Sequence, residues 1–349
     1  MASQLWPVCG HDRVIALLAH ELASNSLRHA YLISGPPHSG KSTIASAFAQ
    51  SIICSSRGEP GAACGECDNC RRVAKGIHPD LQLFSLESQR QNAKDRTAGD
   101  RLSVETVREI CVSAVYRPFS AERRVIIIDD AGSMTGIAQE AMLKTLEEPP
   151  TFLVLILLTE SADALKPTVR SRCEQLNLLP VSPDIISRCL EDRGAETSTA
   201  QLIARQASGL PGWAIATALD PGILKTQQES TGRAAVWVNG SPFQRIARSF
   251  ELANDFGKQR DRVFSELEAV SMLWRGVMMN SAGAHSPAAE TLAADQVDQL
   301  AGAFELAESL RAVESVAACM RDLDSNVRPR LALEAMVMQW PTNSLESRR

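Results

Sequence analysis

The sequence predicts an α/β fold, a doubly wound parallel sheet, over residues 1–178, followed by an all-α remainder. Three observations carry that prediction. His29–Ala45, HAYLISGPPHSGKSTIA, reads as strand, glycine-rich loop and helix. Arg123–Asp130, RRVIIIDD, holds a run of consecutive β-branched residues, the mark of a strand buried on both faces. After Pro180 such runs stop, and apolar residues recur at helical spacing instead.

Length and composition set the bounds. A chain of 349 residues is too long for one ordinary domain, so two or three are expected. Hydrophobic residues make up 44% of it, enough for real cores. The formal net charge is −5, so no basic bulk announces nucleic acid, and any DNA contact must be a local patch. No apolar run reaches the roughly 18 residues that a membrane span needs. The start, MASQLWPVCGHDR, lacks a basic stretch followed by a long apolar one, so no signal peptide and a cytoplasmic location are expected. Nine cysteines, four of them crowded together, suggest metal binding in a reducing compartment rather than a disulfide framework.

In chain order, Val14, Leu17, Leu18 and Leu22 give an amphipathic helix within 10–27, ahead of a strand at Tyr31–Ile33. Gly35–Ser42 fits G-x-x-x-x-G-K-[ST], and the flanking strand and helix are the context that a phosphate-binding loop requires. Gly35 and Gly40 let the backbone curl so that its N–H groups face a phosphate, and the helix that follows points its positive end there. Lys41 reaches the β- and γ-phosphates, and the Ser42 hydroxyl suits Mg²⁺. Gly35, Gly40, Lys41, Ser42 and Thr43 are therefore the candidate ATP-binding residues.

Cys54, Cys64, Cys67 and Cys70 follow as C-x9-C-x2-C-x2-C, with glycines and a proline supplying turns. Four thiolates close a tetrahedral Zn²⁺ site and leave no open position for catalysis, so the site is expected to be structural. Cys9, Cys111, Cys173, Cys189 and Cys319 read as ordinary buried or half-buried thiols. His78–Asp80 reads as a turn, Leu81–Leu86 as a strand and Glu87–Asp100 as a polar loop. Ser103 is placed to cap a helix.

Val125–Ile128 ends in two carboxylates, where a nucleotide's Mg²⁺ would be held. Asp129 is the metal-side candidate, and Asp130 sits where a water-activating carboxylate would. Ala138–Glu148 is a helix stopped by Pro149-Pro150, and Phe152–Leu158 a third buried strand. Thr159 at its end can reach a γ-phosphate or its water, although a plain strand-to-loop turn fits the spacing nearly as well. A short strand near Glu174–Leu178 closes the α/β part. Beyond it, helices are expected over Ile185–Glu191, Thr199–Ala207 and Trp213–Leu219, then a polar linker over Gln227–Gly232. Helices over Phe243–Phe256, Asp261–Met279, Asp295–Ala312 and Pro329–Trp340 follow, with a loop at Ser281–Pro287 and a fraying end at Leu345–Arg349.

On these motifs the chain resembles the clamp-loader branch of the AAA+ ATPases, and within it the delta-prime subunits of bacterial DNA polymerase III. The residues that carry the resemblance are HAYLISGPPHSGKS, the four-cysteine module after it, VIIIDDA, Leu143–Pro150 (LKTLEEPP), Ser171-Arg172-Cys173 and Asn326–Glu334. The resemblance implies a P-loop NTPase core of AAA+ type over 1–178 with a zinc module at 54–70. It further implies a small helical lid over 179–225 and a C-terminal helical collar that oligomerises over 230–341. It implies ATP with Mg²⁺ and a structural Zn²⁺. The implied partners are tau/gamma and delta subunits in a hetero-pentamer, the sliding clamp and primer-template DNA through the assembled loader, with no membrane. Arg172 would act in trans on a neighbour's ATP.

The family's tau/gamma motor subunits carry a lid arginine that reaches the γ-phosphate. Here the matching stretch, Ser208–Ala214, has Gly212 at that place, and Asp129-Asp130 stands where the motors have Asp-Glu. Both departures favour a delta-prime-like subunit with little hydrolysis of its own. The alternatives are a tau/gamma-like motor ATPase, or a repair or recombination AAA+ scaffold that docks through its cysteine module.

Overall fold

A computed structural model describes residues 6–342 apart from 59–60, 93–100, 285–296, 298, 299, 301, 303 and 325–326. Its α/β part is built on five parallel strands: β1 Ala30–Ser34, β2 Leu81–Phe84, β3 Arg124–Ile128, β4 Leu153–Thr159 and β5 Glu174–Asn177. They lie in the order β2-β3-β4-β1-β5. In register, Tyr31 faces Ile156 on one side and Glu174 on the other, and Ile127 faces Ile156 and Leu83.

The apolar run of β3 is explained by its place in this sheet. Alternate residues leave a strand on opposite faces. Tyr31, Ile33, Val125, Ile127, Val154, Ile156 and Leu158 pack on one side with helices Asp12–Ala23 and Lys41–Ile53. Leu32, Ile126, Ile128, Leu153, Leu155 and Leu157 pack on the other with helices Val104–Ala114 and Gly136–Glu147. Each fully buried side chain of this kind stabilises the fold by about 1.5–3 kcal/mol. β1 lies beside β4, yet the chain leaves β1 for β2 at one edge and leaves β4 for β5 on the far side of β1. That reversal opens a crevice at the carboxyl ends of β1 and β4, the place where open α/β sheets bind ligands.

The chain forms two compact units. One comprises Met1–Cys189 with Gly209–Trp213, and the other Leu190–Ser208 with Ala214–Arg349. Helices Pro183–Glu191, Thr197–Gln206 and Pro211–Leu219 span the chain between the sheet and the long helices. The second unit's core is packed by helices Pro221–Asn239, Pro242–Asp255, Arg260–Ser281, Leu306–Asp324 and Pro329–Met338. Three tryptophans anchor it. Trp340 lies edge-on to Trp237 at 5.2 Å and to Trp274 at 5.9 Å. Arg245 is buried beside them, 5.6 Å over the Trp340 ring, and donates to the carbonyls of Val238 and Pro341. It thereby satisfies a carbonyl in the last turn of helix Pro221–Asn239 that would otherwise lack a partner.

The structure corrects three sequence expectations and adds one helix. The polar stretch Gln227–Gly232 is no linker but the middle of helix Pro221–Asn239, which starts on an Asp220 cap that accepts the Gly222 amide. Leu86–Asn92 is helical rather than loop, while residues 93–100 lie outside the described residues. The helix expected over Asp295–Ala312 is observed instead as Leu306–Asp324, and most of 295–303 lies outside the described residues. Cys67 caps a helix, Asp68–Ala74, that no apolar periodicity announces. Ser103 does cap its helix, accepting the Thr106 amide. Of the expected loop at Ser281–Pro287, the part from 285 lies outside the described residues, as does Leu345–Arg349.

Candidate functional site

The four sequence-predicted cysteines meet. Cys54 ends helix Lys41–Ile53, Cys64 lies in the turn, and Cys67 and Cys70 sit on the first turn of helix Asp68–Ala74. Their Sγ atoms all lie within 4.8 Å of one another, with Cys54 3.5 Å from Cys64 and 3.9 Å from Cys67, and Cys64 3.9 Å from Cys70. Thiolates held about 2.3 Å from a tetrahedral Zn²⁺ stand about 3.8 Å apart, so the donor set fits that ion. Backbone amides already point at the sulfurs. Ser56 and Cys64 donate to Cys54, Cys67 donates to Cys64, and Cys70 donates to Cys67. Burial opposes ionisation of Cys67, but hydrogen bonds from Ser55 and the Cys70 amide prevail and hold it down at about 5. Burial pushes the Cys54 and Cys70 thiols up.

A polar relay that sequence reasoning missed ties this knuckle to the sheet. Asn69, between two of the cysteines, donates to the Ile53 carbonyl at 3.0 Å and accepts from His78 Nε2 at 3.2 Å. His78 Nδ1 accepts the Asp80 amide, so the ring proton is on Nε2. The fully buried Asp80 carboxylate accepts the amides of Phe119, Ser120 and Ala121. Burial alone would raise its pKa, but those amides and the Ser120 hydroxyl hold it below the usual carboxylate range. The signal available was His78-Pro79-Asp80 itself, a histidine and a carboxylate just ahead of a strand.

The phosphate loop joins β1 to helix Lys41–Ile53, and Gly40 takes the left-handed conformation, φ 99°, at the helix start. Lys41 Nζ lies back over the loop, donating to the carbonyls of Gly35 at 2.7 Å and Pro36 at 2.8 Å. Burial lowers its pKa against the pull of Glu160, Asp129 and Asp130. Two contacts, neither of them foreseen from the sequence, hold the loop's outer carbonyls. His11 Nε2 donates to Ser39 O at 2.8 Å, and the Gly212 amide donates to His38 O at 2.8 Å. In a trans peptide the N–H opposes the C=O, so fixing Ser39 O turns the Gly40 N–H the other way. The Ser39 hydroxyl is buried within the loop with no hydrogen-bond partner. A curled backbone with an orphaned hydroxyl, an ammonium at its mouth and a helix start behind it fits a nucleotide's phosphates.

The strand ends complete the site unevenly. Ser42 Oγ donates to Asp129 Oδ2 at 3.2 Å, which brings together the hydroxyl and carboxylate suited to Mg²⁺. Thr43 is exposed on the same first turn. Asp130 has a positive φ of 56°. Although its side chain reaches solvent, partial burial and the Asp129 carboxylate raise its pKa, against a hydrogen bond from the Leu86 amide. Thr159 is turned away, its hydroxyl donating to the Ser161 carbonyl at 2.9 Å. Arg172 is half-buried in the first unit, donating to Glu147 Oε1 at 2.6 Å and to the Thr168 carbonyl at 2.7 Å.

The profile described as "DNA polymerase III, delta subunit" matches residues 10–182, a span that takes in the loop, the knuckle, the carboxylates and Arg172. Over this span the chain is similar to the clamp-loader subunits of DNA polymerase III. It is 36% identical over 172 residues to the delta' subunit of Pseudomonas aeruginosa, covering 48% of this chain and 49% of that one. To the tau/gamma subunit of Haemophilus influenzae it is 34% identical over 183 residues, covering 52% of this chain and 25% of that one. The chain thus spans at most about half the length of either relative. A solved gamma subunit-related protein from Thermotoga maritima superposes with a TM-score of 0.40 at 16% identity, over 93% of this chain and 97% of its own. Among the described residues no helix is long and apolar enough to cross a membrane.

Proposed function

We propose that this chain is a clamp-loader family member, the delta-prime-like subunit of its loader. In that role it binds nucleotide with Mg²⁺, hydrolyses little of it, carries a structural Zn²⁺ in the cysteine knuckle, and donates Arg172 to the ATP site of a neighbouring motor subunit. Its partners are then tau/gamma and delta subunits, and through them the sliding clamp and primer-template DNA. The observation that carries the reading is Gly212. A Cβ there would stand 2.7 Å from the His38 carbonyl oxygen, so the lid position beside the phosphate loop has no room for a side chain, least of all a motor's arginine. The complete phosphate loop and the tau/gamma likeness favour the second reading, a motor ATPase.

Affinity purification of the full chain from a bacterial cell, with mass spectrometry and an ATP-turnover assay of the isolated chain, separates the two. The delta-prime reading expects polymerase III subunits to co-purify and turnover by the chain alone to stay slow. Fast turnover without partners would restore the motor reading. Recovery of repair or recombination proteins in place of polymerase III subunits would point to the scaffold alternative.

A further inference from the structure

We propose that the nucleotide site holds a nucleoside diphosphate as readily as a triphosphate, so that it serves as a resident ADP site. The inference rests on the nucleotide-binding reading above and concerns which nucleotide this chain's own residues favour.

The groups that fit a phosphate are concentrated at the base of the site. The loop amides, the start of helix Lys41–Ile53 and the Ser42–Asp129 pair act at the phosphates nearest the loop and their Mg²⁺. Lys41, folded back on the Gly35 and Pro36 carbonyls, offers a single charge.

The far end is stripped of readers among the described residues. Thr159 spends its hydroxyl proton on the Ser161 carbonyl. Gly132 lies close against it, since a Cβ there would stand 2.5 Å from Thr159 Oγ1. The first turn of helix Pro211–Leu219 meets the loop through Gly212, whose amide is committed to His38 O. No cation occurs from Gly209 to Leu219. Asp130 adds a carboxylate there, not a cation.

Charge works in the same direction. Lys41 already feels three carboxylates, Glu160, Asp129 and Asp130, while Arg90 acts on Asp130. A γ-phosphate adds a further negative charge among them. Its attraction to Lys41 and Mg²⁺ is offset by that repulsion, so the third phosphate gains little beyond the second.

The test is isothermal titration calorimetry of the nucleotide-free full chain with Mg²⁺, using ADP and ATP as the two ligands. The expected dissociation constants agree within about threefold, less than the tenfold that 1.4 kcal/mol would give. Thr159→Val is expected to leave both constants within about twofold of the parent, since its hydroxyl does not face the phosphates. ATP binding tenfold or more tighter than ADP, or a Thr159→Val variant that weakens ATP alone, overturns the proposal. Binding of neither nucleotide removes the nucleotide-binding reading itself and this proposal with it, a result distinct from unequal binding.

Discussion

The cysteine knuckle and the phosphate site lie at opposite ends of one helix, Lys41–Ile53, and they are finished to different degrees. In the knuckle every part faces inward. Four sulfurs converge, backbone amides point at them, and the Asn69–His78–Asp80 relay fixes the module to the sheet. In the phosphate site the base is complete, but Thr159 turns away and Gly212 meets the loop without a side chain. A metal site that only has to hold needs all its ligands. A nucleotide site that only has to hold can lose the groups that sense and cleave the γ-phosphate and keep the rest. The contrast fits the proposal that both sites are built for retention.

Removing a ligand from the finished site should have the largest effect. Cys70→Ser takes away a fully buried sulfur, so zinc affinity should fall by more than the roughly 10–100-fold that loss of an outer-shell partner costs. Metal analysis after gel filtration reads the loss. Far-UV circular dichroism should stay near the parent spectrum, because the sheet core is made by other residues. Unchanged zinc content would mean that the four sulfurs do not act as one site. Lys41→Ala tests the other region. Loss of a charged donor is worth about 1.5–3 kcal/mol, so nucleotide affinity should drop about 10–100-fold by calorimetry with zinc content unaltered. An equal affinity would mean that the loop is a glycine turn and nothing more.

A smaller effect separates the relay from the knuckle that it supports. Asp80→Asn exchanges an anion that accepts three amides for a neutral group, and should cost about 1–3 kcal/mol in chemical denaturation at pH 7. The sign with pH follows from the lowered pKa of Asp80. Its contribution is fully present above the unfolded value, about 3.9, and is lost as pH falls through the lower folded value. The parent should therefore lose stability in acid more steeply than Asp80→Asn, and parallel acid limbs would remove the assignment. The smallest change is expected at the surface. Glu147→Gln breaks a partly exposed ion pair with Arg172 and should shift stability by less than about 1 kcal/mol.

How much of this was legible from sequence follows from how local each feature is. The loop, the β3 run with its carboxylates and the cysteine spacing are contiguous, so their chemistry is written in neighbouring letters. Helix Leu86–Asn92 was not, because polar contacts hold it rather than an apolar stripe. Ser85 and Ser88 exchange hydrogen bonds, and the Gln89 side chain accepts the Ser103 amide and the Thr106 hydroxyl. The run Gln227–Gly232 looks like a linker since it is polar, yet Ser230 is buried and bonded to Arg233 within a continuous helix. Arg172 illustrates the limit for site residues. The sequence offers Glu174 as its nearest carboxylate partner, whereas the fold supplies Glu147 from another helix. His11 was invisible for the same reason, since its contact with Ser39 joins residues that only the fold brings together.

The central claim is that this subunit acts on a neighbour's ATP rather than its own. The direct measurement is the DNA-stimulated ATPase rate of a reconstituted clamp loader carrying Arg172→Ala, alongside nucleotide binding by the variant chain alone. An arginine supplied in trans is worth about 10³–10⁵ in rate where it acts as a finger, and its planar fork meets phosphate in a way lysine does not reproduce. The account predicts unchanged folding, zinc content and nucleotide affinity for the isolated variant. In the assembly it predicts a loss of activity confined to the neighbouring site. Full DNA-stimulated ATPase and loading rates with Arg172→Ala would contradict it and leave Arg172 as the partner of Glu147 alone.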